Sequence, residues 1–129
     1  MLYHVSDKPN LEILTARIPE IGVEENEDMT IKRVCFSNSI SGCLSSIGPC
    51  KDMLYYVYIP IDKNIPIYKP TVYDVRDSEF TGEIWSFQDV EVKLVGIINT
   101  KFEIFSEYET VRGTVRIPNY TYKWIEGGD

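Results

Sequence analysis

Three short stretches of this sequence hold residue types that can do chemistry. The first is Leu2-Tyr3-His4-Val5-Ser6, which is apolar and β-prone. Side chains alternate along a strand, so His4 and Ser6 share one face with Leu2 while Tyr3 and Val5 take the other. His4 and Ser6 can then point together into a cleft; an ordinary histidine hydrogen-bonded inside a half-buried sheet fits the same pattern. The second stretch, Arg33-Val34-Cys35-Phe36-Ser37-Asn38-Ser39-Ile40, is a strand running into a capped helix. Free N–H groups at a helix start favour an anion such as a pyrophosphate, and ordinary capping explains the same serines. Arg33 is a candidate phosphate partner, or an exposed strand arginine. The third, Thr81-Gly82-Glu83-Ile84-Trp85, sets an acid in an aromatic, β-prone segment after a glycine that permits close approach. Of the many acids in the chain, Glu83 has the neighbours to bury it.

Other familiar arrangements are missing. The sequence has no GxxxxGK[ST] phosphate loop, no GxGxxG, no HExxH, no CxxC and no GxSxG elbow. With His4 the one histidine and no carboxylates grouped at ligand spacing, no metal site is expected.

Strands must position these residues. Met1 to Val5 reads as a first strand, Ser6 to Asn10 as a turn, and Leu11 to Ile18 as a short irregular strand. Glu20 to Asp28 carries five acids and reads as an exposed, mobile loop. Ile31 to Phe36 is a strand. Ile40, Cys43, Leu44 and Ile47 recur at helical spacing after the Ser37-Asn38-Ser39 caps, so a helix of about nine residues ends at Gly48-Pro49. Met53 to Pro60 alternates with both faces apolar or amphipathic, the mark of a central strand. Pro60, Pro66 and Pro70 punctuate a winding segment. A short strand lies around Gly82 to Trp85 and a long one over Val90 to Ile98. Lys101 to Val111 fits a helical stripe (Phe102, Phe105, Tyr108, Val111) and partly a strand. Thr114 to Ile125 is β-prone, and broken or bulged near Pro118.

Bulk composition bounds the rest. The 129 residues make one domain, 1–129, without internal repeats or a splitting linker. One alanine and nine tyrosines favour strands, so the expected class is α+β and β-rich, with one or two short helices. A net charge of -7 argues against nonspecific nucleic-acid binding and against anionic membranes. Cys35, Cys43 and Cys50 form an odd, unevenly spaced set without a leader segment. They read as buried or partly buried free thiols of a cytoplasmic protein. No apolar run is long enough to cross a membrane as a helix.

Taken in order, the three stretches resemble the ADP-ribosyltransferase superfamily, in the branch of diphtheria toxin, the poly-ADP-ribose polymerases, the RNA 2′-phosphotransferases and the rifampicin ADP-ribosyltransferases. That branch opens on a strand like LYHVS, residues 2–6. The rifampicin enzymes continue with a strand into a helix like VCFSNSI (34–40), a strand like YYVYIP (55–60), and a Pro-Thr loop, here Pro70-Thr71. An acid, here Glu83, and a strand end like KLVG (93–96) follow. The resemblance spans residues 1–98. It implies split β-sheets and NAD as substrate. His4 would bind the nicotinamide ribose, Ser6 would support the same strand or the adenylate side, and Glu83 would bond the ribose 2′-OH and stabilise the oxocarbenium-like charge as nicotinamide leaves. Arg33, Ser37 and Tyr56 complete the implied cofactor-binding set. The branch's nicotinamide-stacking tyrosine falls at Cys35, which leaves Tyr55, Tyr56 or Tyr58 to supply a ring. The implied activity is mono-ADP-ribosyl transfer to a protein, nucleic acid or small molecule. The alternative is a non-catalytic nucleotide- or protein-binding module on the same fold, of the kind a phage or mobile element would encode. A third reading is a plain interaction protein with a coincidental LYHVS.

Overall fold

A computed structural model describes residues 1–18, 30–48 and 50–128. The acidic stretch 20–28 and Pro49 lie outside the described residues. The described chain is β-rich, with two sheets and two short helices.

Met53–Pro60 forms strand β4, with Tyr55 and Val57 buried on one face and Tyr58 on the other. It is central, as its two apolar faces predict: β1 (His4–Ser6) pairs along one edge and β6 (Val90–Thr110) along the other. The far edge of β6 carries β2 (Ile13–Leu14) at its start and β7 (Gly113–Gly127) from Gly96 onward. A separate two-stranded sheet pairs β3 (Val34–Ser37) with β5 (Glu83–Ser86), both antiparallel.

Helix α1 (Ile40–Ile47) forms where its spacing predicts. Ser39 Oγ accepts the Gly42 N–H at 2.9 Å, and Gly48, at φ 55°, ends the helix by donating to the Leu44 carbonyl at 3.0 Å. Ile40, Cys43 and Leu44 pack on Val5, Tyr55, Val57, Ile98 and Tyr120. The other face of β4 joins a second core with Leu14, Val34, Phe36, Ile84, Val90 and Val92. One element is unanticipated: the single turn α2 (Ser78–Thr81), closed by Gly82 at φ 67°.

The ambiguous stretch Lys101 to Val111 is strand up to Thr110. Its helix-like stripe has a cause. The β6–β7 register shifts between Phe102 and Ile104, so Glu103 is an extra residue opposite the Pro118 region. Phe102 and Phe105 face Tyr120 and Pro118, two positions apart on β7, so they share a face despite a spacing of three; their rings lie 4.9 Å apart. The strand through Pro118 is unbroken from Gly113 to Gly127, and the extra residue lies in its partner, between the pairings to Tyr120 and Asn119.

The α1 start is packed shut. A Cβ added at Gly42 would sit 1.9 Å from the Thr81 carbonyl oxygen and 2.3 Å from Ser37 Oγ. Helix propensity alone makes Gly42→Ala stabilising by about 1 kcal/mol. The packing predicts the opposite sign, a loss of about 1–3 kcal/mol in urea unfolding; a variant as stable as the parent would contradict it.

Candidate functional site

The two sheets meet at β1. Tyr3 and Ser37 exchange backbone hydrogen bonds of 2.8 and 3.0 Å. One residue on, His4 Nδ1 lies 2.9 Å from the Cys35 carbonyl oxygen. A carbonyl only accepts, so Nδ1 carries the proton and Nε2 presents its lone pair. Burial pushes the His4 pKa down; the Cys35 hydrogen bond opposes this, and the positive charge of Arg17 adds to it. His4 is therefore a neutral imidazole at pH 7 with one fixed tautomer. Its ring stands edge-on to Phe36, 6.2 Å between centroids.

His4 and Ser6 do line one cavity, of about 280 Å³, with Asp7, Lys8, Leu11 and Arg17 around them. Tyr58 fixes the loop: its hydroxyl donates to the Lys8 carbonyl at 2.7 Å and accepts the Leu11 N–H at 3.3 Å. Ser6 Oγ accepts the Lys8 N–H at 3.1 Å. Lys8 and Arg17 are exposed, and neither side chain hydrogen-bonds or ion-pairs with another described residue. Lys8, Arg17 and the buried Arg33 against the one carboxylate of Asp7 favour an anionic ligand, and the imidazole and hydroxyl can take its hydroxyl groups. Lys8 and Arg17 escape sequence reading because they belong to a turn and an irregular segment that only the fold folds over β1.

Glu83 is buried as its neighbours predict, and its Oε2 accepts the Trp85 indole N–H at 2.7 Å. It does not meet His4. Tyr3 pairs with Ser37, and Ser37 with Glu83, so these side chains share one face across three strands. His4, one residue beyond Tyr3, must take the opposite face, beside Phe36. Glu83 instead lines a cavity of about 590 Å³ that shares no residue with the His4 cavity. The expectation of one cleft for the pair is corrected by this parity.

Three further expectations change. Arg33 is not exposed: it lines the His4 cavity but is buried, its guanidinium 4.1 Å from the centre of the Trp85 ring, with Nη1 donating to the Ile31 carbonyl at 3.0 Å. Ser37 is buried and donates to the Thr81 carbonyl at 2.6 Å, so both it and the filled α1 start are structural. Cys50 is exposed rather than buried, while Cys35 is half-buried and Cys43 is buried, its thiol pushed up to about 12 by burial. Tyr56 pairs with Ser6 and shares its face, but is not among the cavity-lining residues. Among the described residues no three His, Cys, Asp or Glu side chains group to hold a metal, and no helix is long and apolar enough to cross a membrane.

The His4 environment has a sign in pH. Its folded pKa lies below the unfolded value of about 6.5, so the unfolded chain binds a proton that the folded chain refuses. The stability due to neutral His4 is complete above pH 6.5 and is lost as pH falls through that value toward the folded pKa. Urea unfolding between pH 7.5 and 5.5, above the main carboxylate range, shows a falling free energy in the parent and a flatter profile in His4→Asn. Equal slopes would contradict the assignment.

No protein-family model matches the chain, and neither a curated protein nor a solved structure is significantly similar to it.

Proposed function

We propose that this chain is a nucleotide-binding module of ADP-ribosyltransferase-like type, taking NAD through the His4 cavity. The observation that carries the reading is the convergence of His4, Ser6, Lys8 and Arg17 on one cavity, with the imidazole held as a neutral acceptor by its bond to Cys35. Nε2 accepts a ribose hydroxyl. Lys8 and Arg17 meet phosphate oxygens, where charge-assisted hydrogen bonds are strongest. A cavity of about 280 Å³ takes a mononucleotide portion, and the rest of the dinucleotide extends past the exposed cations. The split into two sheets joined at β1 and the order of the LYHVS, RVCFS and TGEIW stretches support the same reading.

ADP-ribosyl transfer is the second reading. In it the bond from ribose C1′ to the nicotinamide nitrogen breaks, nicotinamide leaves with the electron pair, and an acceptor nucleophile bonds to C1′ and loses its proton. The unprotonated Nε2 of His4, able to position the ribose, favours it. The position of Glu83 in another cavity, bonded to Trp85, favours binding without transfer.

Titration of the chain with NAD tests the binding reading. Saturable binding is expected, with a raised melting temperature, and Arg17→Gln weakens it by about tenfold, the worth of one charge-assisted contact. No saturable binding, or binding indifferent to Arg17→Gln and His4→Ala, would sink it. Incubation of labelled NAD with the chain and a cell lysate separates the readings. Label transferred to an acceptor and lost in Glu83→Gln establishes transfer; retained binding without label leaves the module.

A further inference from the structure

The cavity of about 590 Å³ lies between the C-terminal end of α1, the segment around Arg76 and the arm formed by β6 and β7. Its size falls within the range of small-molecule sites. Two arginines from separate elements line it. Arg116, on β7, rests its guanidinium 3.8 Å from the centre of the Phe105 ring, which holds the group without using its donors. Arg76 reaches the hairpin turn, its Nη1 3.9 Å from where a Cβ on Gly113 would stand. Neither guanidinium hydrogen-bonds or ion-pairs with another described residue.

Each guanidinium carries five donors in a planar fork, so two of them lining one cavity, without acceptors among the described residues, match the oxygens of a phosphate. Asp77, next to Arg76 in the chain, lines the cavity too, so with Glu83 the carboxyls there equal the guanidiniums in number. The Glu83 carboxylate, 8% exposed and held by the Trp85 indole, is the other end of the cavity's chemistry. A buried carboxylate repels an anion and accepts hydroxyl donors. The cavity therefore offers two kinds of recognition, phosphate at the arginines and hydroxyl at Glu83.

We propose that this second cavity binds a phosphate ester of a hydroxylated small molecule, of the sugar-phosphate class. The site is separate from the His4 cavity and stands whether or not NAD binds there. It also gives Glu83 a binding role that does not require proximity to His4.

Calorimetric titration with D-ribose 5-phosphate, with D-ribose and inorganic phosphate as separate arms, tests the proposal. The parent chain is expected to bind ribose 5-phosphate saturably at millimolar concentrations or below, and each component alone more weakly. Arg76→Gln and Arg116→Gln each weaken it by about tenfold or more, and Arg116→Lys by less than Arg116→Gln. Glu83→Gln weakens ribose 5-phosphate but not inorganic phosphate; a thermal melt checks that this buried variant folds, and the two surface arginine variants decide the matter if it does not. The losses in Arg76→Gln and Arg116→Gln persist in an Arg17→Gln background, which separates this site from the His4 cavity. No saturable binding by the parent, equal binding in Arg76→Gln and Arg116→Gln, equal affinity for inorganic phosphate alone, or a loss confined to Arg17→Gln would each overturn the proposal.

Discussion

The hydrogen bonds between β1 and β3 are the constraint on which the arrangement depends. Tyr3 and Ser37 join the two sheets through their backbones, and His4 adds a side-chain bond to the Cys35 carbonyl. Each such bond is worth only about 1 kcal/mol net. Their weight is geometric. They set which residues of β3 and β5 face the helix and which face the His4 cavity. A slip of one residue would exchange the two faces and expose the apolar set that now forms two cores.

That register explains why His4 and Glu83 line two cavities rather than one. Tyr3, Ser37 and Glu83 stand in line on the α1 side of the junction, and His4 and Phe36 stand on the other. Trp85, two residues from Glu83 on β5, shares its face. It is fully buried, bonds Glu83 with its indole, and carries the Arg33 guanidinium on its ring. Arg33, so held, lines the His4 cavity. The cations left to meet a ligand are Lys8 and Arg17 at one cavity, Arg76 and Arg116 at the other. None of the four hydrogen-bonds or ion-pairs through its side chain with another described residue, so the proposed anion recognition falls in two clusters.

Much of the fold is legible in the sequence where periodicity is strong and local. α1 follows from Ile40, Cys43, Leu44 and Ile47 with a serine cap, and β4 from alternation with two apolar faces. The β6–β7 arm is less legible because the extra residue at Glu103 makes a strand imitate a helical stripe. α2 is one turn long and has no period to detect. At the sites, the pairing of His4 with Ser6 follows from alternation within one strand, and the burial of Glu83 from its neighbours. Their separation does not, because it depends on the parity of two pairings, Tyr3 with Ser37 and Ser37 with Glu83. Lys8, Arg17, Arg76 and Arg116 carry no local signal. Their roles come from elements distant in the chain.

The central claim is that His4 is a fixed, neutral acceptor facing a nucleotide. The chain has one histidine, so nitrogen NMR of the imidazole reports on that group alone. The account predicts a ring protonated on Nδ1 at pH 7, with an Nε2 resonance that shifts saturably as NAD is added. A ring protonated on Nε2, or an Nε2 resonance indifferent to NAD, would contradict it.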